Sequence, residues 1–290
     1  MAMQTSTVRP YAESDFAQLV ELLRQRAPIP GQPRVSSEMV QAALNGTSPI
    51  DGGWWAELTN LRHLVVPDNG NLAGAVAVGT SKADGAGYLL WLAADDNEVV
   101  ETLVDAAVSA LEGTSVQRAF SFATALDEGL EGLPVRLRPV VHQALLSRGF
   151  AGEDMWVYMR RDLTATDSML ADDDLVAAFT VSDGEDPQSW RITADGGADE
   201  GVVVIGLLPS GTGIVEWLHV DDAHRGRGLG KAVLSVGLRH LVSLGATEAI
   251  LYVDHDAPET ERDRAAALAL YEAAGFEVVD HLHSYERPGS

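Results

Sequence analysis

Gly213-Ile214-Val215-Glu216-Trp217-Leu218-His219-Val220, followed after three residues by His224-Arg225-Gly226-Arg227-Gly228-Leu229-Gly230-Lys231, is the stretch whose reading decides the fold. The first run is short and apolar, as a buried strand is. The second opens the segment Lys231 to Leu244, in which Val233, Leu234, Val236, Leu238, Leu241 and Leu244 recur near helical spacing until Gly245 stops them. Three glycines between strand and helix let the backbone approach a ligand closely. The amides of the helix's first turn have no acceptor of their own and sit at the positive end of its dipole. The chemistry of such a turn is anion binding, and its length suits a pyrophosphate. Two other phosphate loops fail on spacing. The glycines read G-x-G-x-G, not the G-x-G-x-x-G of dinucleotide folds. Gly230-Lys231 is followed by Ala232, with no glycine five residues before Gly230, so a Walker loop is excluded.

Working outward, Val202 to Leu208 is an apolar strand joined to Ile214 to Val220 by the hairpin signal Pro209-Ser210-Gly211-Thr212-Gly213. Ala249 to Val253 reads as the next buried strand. Arg262 to Ala274 reads as an Ala-rich helix closed by Gly275. Strands mixed with helices in this order make a mixed α/β fold of the α+β type.

The segment resembles the GNAT superfamily of acyltransferases, whose signature Q/R-x-x-G-x-G/A is met by Arg225, Gly228 and Gly230. The same family ends its core with N-x-x-A-x-x-L-Y-x-x-x-G-F. Ala267, Leu270, Tyr271, Gly275 and Phe276 fit this, while Arg264 stands in place of the Asn. The resemblance implies a twisted, mostly antiparallel sheet with a splayed parallel pair, Ile214 to Val220 beside Ala249 to Val253, flanked by helices. It implies acetyl-CoA as cosubstrate. The pantetheine would lie in the splay, its thioester near the backbone of Leu218, His219 and Val220. The pyrophosphate would sit on Gly226, Arg227, Gly228, Leu229, Gly230 and Lys231, helped by Arg225. Tyr271 occupies the family's general-acid position. The family's usual base is a Glu at the place held here by Ile214. Glu216, two residues on, is on the same strand face by periodicity and is the candidate base, while His219 is expected to point the other way.

The sequence also repeats itself at an offset of 126 residues, which carries Gly87-Tyr88-Leu89-Leu90-Trp91-Leu92 onto Gly213-Ile214-Val215-Glu216-Trp217-Leu218 and Gly149-Phe150 onto Gly275-Phe276. Two tandem copies of one fold follow, with a boundary expected near Leu163: residues 1–162 as a degenerate first domain and 163–290 as the domain with the acetyl-CoA site. In the first copy the gapless offset puts Val99 to Val104 where the glycine turn should be and Leu145 where Tyr271 should be, so this copy lacks the donor-binding parts. Arg62 to Val66 and Leu72 to Val78 read as a hairpin around Asp68-Asn69-Gly70, and Asp15 to Arg26 as a helix in a long front end. Trp54, Trp55 and Trp91 are candidates to line an acceptor site.

Composition narrows the function classes. A formal net charge of -23 makes nucleic acid and anionic membranes poor partners and leaves amine-bearing acceptors open. The chain has no cysteine, which excludes disulfides, thiolate metal sites and a cysteine nucleophile. No run approaches the roughly 18 apolar residues of a membrane span, so the expectation is a cytoplasmic protein, monomeric or homodimeric. Asp254-His255-Asp256 and His281-Leu282-His283 resemble metal ligands in composition alone, and no metal is expected. The reaction that the resemblance implies is direct attack of a primary amine, of a small molecule or a protein, on acetyl-CoA. Two alternatives stand beside it: a tandem enzyme acetylating a cysteinyl-glucosaminyl-inositol, and a non-catalytic pair that binds acyl-CoA or scaffolds a partner.

Overall fold

A computed structural model describes residues 7–50, 52–127, 129–164, 179–186, 188–194, 200–255 and 264–289. The chain divides into two compact units, residues 1–156 with 280–290, and residues 157–279. The sequence segment leading from Leu163 to Pro187 lies mostly outside the described residues, as do Asp256 and Arg262.

Unit one opens with the short strand β1 (Arg9–Pro10) and helices α1 (Phe16–Gln25), α2 (Ser37–Leu44) and α3 (Gly52–Glu57). Strands β2 (Leu58–Asp68), β3 (Asn71–Ser81) and β4 (Gly87–Ala93) then form an antiparallel meander. The turn between β2 and β3 places Asn69 at φ 45 and Gly70 at φ 86, the left-handed pair that a two-residue hairpin needs. Helix α4 (Asn97–Ala110) crosses over to β5 (Val116–Ala119), which is parallel to β4 through Gly87–Gln117, Tyr88–Arg118 and Leu89–Ala119. After β6 (Leu133–Pro134) and helix α5 (Pro139–Ser147), strand β7 (Ala151–Asp162) leads out of the unit. The sheet is completed by the end of the chain, strand β13 (Glu277–Pro288), antiparallel to β5 and β6. The fully buried carboxylate of Asp280 holds that strand by accepting the amides of Arg136 and Leu137.

Unit two has the strand order β7, β12 (Glu248–Asp254), β11 (Gly213–Val220), β10 (Gly201–Leu207), β9 (Ser189–Ala194), β8 (Phe179–Asp183). Helix α6 (Leu229–Ser243) connects β11 to β12, and helix α7 (Arg264–Ala273) follows β12. Its core packs one face of the sheet, including Val203, Ile205 and Val215, under Val233, Leu234 and Leu241 of α6. Burying a leucine such as Leu241, which has no exposed surface, contributes about 1.5–3 kcal/mol. The strand and helix come close because Gly213 has no side chain: a Cβ there would lie 2.6 Å from Leu241 Cδ1.

The pairing registers refine the repeat. Gly87 pairs with Gln117 in the first copy and Gly213 with Ala249 in the second, so the offset is 126 at the first strand of each parallel pair and 132 at the second. The six additional residues fall between strand and helix, since α4 starts at Asn97 and α6 at Leu229. The gapless alignment therefore misplaces Val99 to Val104. These residues lie inside α4, and the first copy has no turn at all where the second has its glycines.

Gly213→Val is expected to drive two methyl groups into Leu241 and to lower the unfolding free energy by about 1–3 kcal/mol. A urea melt checks it, and an unshifted midpoint would contradict this packing.

Candidate active site

The parallel ladder of β11 and β12 holds for three pairs, Gly213–Ala249, Ile214–Ile250 and Val215–Leu251. Both strands continue, to Val220 and Asp254, without pairing further. The open edge of β11 beyond Val215 thus contains Leu218, His219 and Val220, the stretch assigned above to the thioester end of the donor. Its other edge stays paired to β10, through Val203–Leu218, Val202–His219 and Gly201–Val220.

Beyond Val220 a single turn of tight helix, Asp222–His224, leads into the glycine turn. Gly226 and Gly228 adopt φ 75 and φ 82, conformations that a side chain disfavours. Gly228 is the N-cap of α6 and supplies no side-chain cap, so the amides of Leu229, Gly230 and Lys231 keep the open donors of a helix start. The equivalent helix in unit one is different. Its N-cap Asp96 turns its own carboxylate onto the amides of Glu98 and Val99 at 3.0 and 3.2 Å. One helix start is filled by an internal carboxylate, and the other has no side-chain cap. Gly226, Arg227, Gly228 and Lys231 are exposed, and Leu229 and Gly230 partly so. Arg225 is turned back by its Nε to the Val220 carbonyl at 3.1 Å and by an ion pair with Asp222 at 2.5 Å. Its guanidinium is half exposed, so it braces the strand end while remaining beside the turn.

Tyr271 stands in the last turn of α7, and two features fix it. Gly275, at φ 82, lets the Phe276 amide reach back to the Tyr271 carbonyl at 3.0 Å, closing a Schellman cap. The phenol ring meets Phe276 edge-on with centroids 5.9 Å apart. The same cap joins Phe150 to Leu145 at the end of α5. The first copy therefore has the scaffold for this side chain without its hydroxyl. Burial, and then the charge of Asp254, push the Tyr271 phenol up to about 12, so it holds its proton throughout the neutral range. Arg264, where the family has Asn, donates Nε to the Asp254 carbonyl at 2.8 Å and ties the start of α7 to the end of β12.

Glu216 is the extra residue of a β-bulge: Val204 pairs with Trp217, yet Ile205 pairs with Val215. Its carboxylate lies over Gly206, where a Cβ would come within 2.5 Å of Glu216 Oε1 and 3.0 Å of Ile214 Cγ2. Glu216 and Ile214 therefore share a face, as periodicity indicates. Burial, with the charge of Asp186 added, raises the Glu216 pKa above the ordinary carboxylate value.

The bulge overturns one expectation. It shifts the alternation by one residue, so Trp217 and His219, which pair with Val204 and Val202, lie on the Glu216 face. Leu218 and Val220 turn instead to the α6 side, toward Gly230. Sequence periodicity misses His219 and Trp217 for this reason. Gly206 was missed too, because a glycine in an apolar strand carries no mark of what lies above it. Trp91 does not line a site, being 1% exposed in the core of unit one, and the side chains of Trp54 and Trp55 are outside the described residues. Among the described residues no group of three or more His, Asp or Glu could hold a metal ion, and no helix is long and apolar enough to cross a membrane.

Residues 155–276 match the acetyltransferase (GNAT) family. The mycothiol acetyltransferase of Corynebacterium efficiens is 42% identical over 66 residues, which cover 23% of this chain and 20% of that one. That of a Nocardioides species is 32% identical over 110 residues, 33% of this chain and 35% of that one. The matched stretches thus span about a fifth to a third of these curated relatives. Among solved structures, a tandem GNAT protein from the clavulanic acid biosynthesis pathway superposes over 98% of both chains with a TM-score of 0.64 at 12% identity. A GCN5-related N-acetyltransferase from Sphaerobacter thermophilus superposes over 98% of this chain and 96% of that one, with a TM-score of 0.63 at 14% identity. Those likenesses concern the fold: the chain has a tandem GNAT fold over its whole length, and residues 155–276 match the acetyltransferase family.

Proposed function

We propose that the chain transfers the acetyl group of acetyl-CoA to a primary amine by direct attack, with the donor held by the second copy, which the sequence delimits as residues 163–290. The uncapped start of α6 at Gly228 carries this reading, set against the Asp96-capped start of α4. Acetyl-CoA supplies an activated thioester. The chain supplies the rest. The amides of Arg227 to Lys231 hold the pyrophosphate, with Arg225 beside them. The unpaired edge of β11 around Leu218, His219 and Val220 offers backbone hydrogen bonds to the pantetheine and the carbonyl. Glu216, directly or through water, takes the proton of the attacking ammonium, and Tyr271 gives its proton to the departing sulfur.

The names of the curated relatives favour a second, narrower reading, in which the acceptor is a cysteinyl-glucosaminyl-inositol as in mycothiol acetyltransferases. Ile214, at the place of the family's usual glutamate, weighs against it. A binding-only pair would retain the donor and release no CoA in the presence of any amine.

Gly228→Asp puts a carboxylate, and a side chain at a left-handed φ, into the start of α6. Acetyl-CoA affinity, measured by calorimetry, should fall about tenfold or more, or about 1.4 kcal/mol. Equal affinity would remove the donor from this turn.

With the Glu216 pKa raised, kcat/KM should rise with pH through a value above the ordinary 4.5 of a glutamate, and Glu216→Gln should abolish that limb. Gly206→Ala, which displaces the carboxylate, should lower kcat while leaving acetyl-CoA binding intact. A wild-type acid limb that persists in Glu216→Gln assigns the base elsewhere, with His219 next in line on the same face.

Tyr271→Phe should lower kcat by about 10²-fold or more at unchanged acetyl-CoA affinity. Because the phenol is held near 12, the wild-type profile should show no alkaline loss from this group below about pH 11. A variant as fast as the wild type would make Tyr271 a packing residue.

A further inference from the structure

The two copies carry a tryptophan at the same place, directly after the same bulge, and treat it in opposite ways. In unit one the bulge falls at Leu90, since Ala77 pairs with Trp91 and Val78 with Leu89. Leu90 and Trp91 therefore share a face, and both pack under α1 and α2 against Leu19, Leu23 and Val40. Trp91 is 1% exposed there. In unit two the bulge residue is Glu216, and Trp217 beside it is 50% exposed. Among the described residues of unit two no helix precedes β8, and no counterpart of α1 or α2 covers that face.

The uncovered indole stands next to the candidate base, on the face away from α6. Asp186 lies close by: its carbonyl accepts the hydroxyl and the amide of Ser189, and Ser189 pairs with Gly206, over which the Glu216 carboxylate lies. The whole chain adds a net charge of -23, which concentrates cations near it. An indole face beside carboxylates is suited to an organic cation, held by its π electrons and by the charge together.

The attacking amine must be neutral when it meets the thioester, so it cannot be the lasting cation on the indole. A second charged centre in the same acceptor can be. We propose that Trp217, with Glu216 and Asp186, forms an acceptor subsite selecting an oligoamine, one ammonium resting on the indole while a neighbouring primary amine of the same molecule reacts. This rests on the acetyl-transfer reading above and names its substrate class. Arg191, paired with Val204 on the same face, limits the subsite on the β9 side. In the transfer the amine nitrogen bonds to the acetyl carbon and the carbon–sulfur bond breaks. The amine proton leaves toward Glu216, and the thiolate receives one from Tyr271.

The test uses the full-length chain, with spermidine as the probe and butylamine as the monocation control, each titrated by calorimetry in the presence of CoA. Wild type should bind spermidine about tenfold more tightly than butylamine. Trp217→Ala should lose that advantage, and Trp217→Phe, which keeps a π face, should retain most of it. Acetyl-CoA affinity should be alike in all three proteins, which also reports that the variants are folded. Spermidine binding no tighter than butylamine, or unchanged in Trp217→Ala, would overturn the subsite. CoA release from acetyl-CoA is assayed separately. Release with some other amine, undiminished in Trp217→Ala, also overturns the subsite and leaves acetyl transfer standing. Spermidine binding that depends on Trp217, with no CoA released by any amine, supports the subsite as a cation site and removes the transfer reading.

Discussion

One inserted residue in a strand governs what the second copy presents to solvent. At Glu216 the ladder with β10 takes two residues of β11 against one, and from there on every side chain of β11 is on the opposite face from the one that strict alternation would give. Leu218 and Val220 are turned to the α6 side, where the core accepts them. Glu216, Trp217 and His219 are left together on the open side. The parallel ladder with β12 stops one residue before the bulge. Beyond that point the β11 edge has lost its partner and the strand face has gained a carboxylate, an indole and an imidazole.

The first copy shows that the scaffold does not create the site. It has the same three-residue parallel ladder, the same bulge and the same Schellman cap at the end of its last helix. Into this frame it places Leu90, Leu145 and the capping carboxylate of Asp96, where the second copy has Glu216, Tyr271 and Gly228. Apolar side chains suit a face covered by α1 and α2, and a self-capped helix start leaves nothing for a diphosphate to satisfy. Six additional residues, Gly226 among them, lengthen the strand-to-helix connection ahead of Gly228. Electrostatics then follow from burial: the Tyr271 phenol keeps its proton, and the Glu216 carboxyl is displaced toward neutrality, as the proposed proton transfers need.

Much of this was legible in the residues. The short apolar runs, the helical spacing after Lys231, the glycine stops and the 126-residue repeat give two copies of a mixed α/β fold, because hydrophobic period and turn chemistry are local properties of the chain. The glycine turn and Tyr271 could likewise be read from spacing, since each sits at a helix end that glycine marks.

What needed the tertiary structure is whatever depends on which strand lies beside which. A bulge exists only relative to a partner strand, so the faces of Trp217 and His219 could not be derived from β11 alone. The insertion before α6 emerges when Gln117 and Ala249 are seen to take the same place in their two ladders. Gly206 acquires a role only because the Glu216 carboxylate lies above it. Strand β13 completes unit one although it follows α7 of unit two in the chain, because the buried Asp280 and the β5 edge hold it there. The sequence by itself determined the elements, their duplication and the glycine turn before α6, all of which follow from short-range spacing. Tertiary pairing decided which side chains share a face, since hydrogen-bond register is a relation between distant segments.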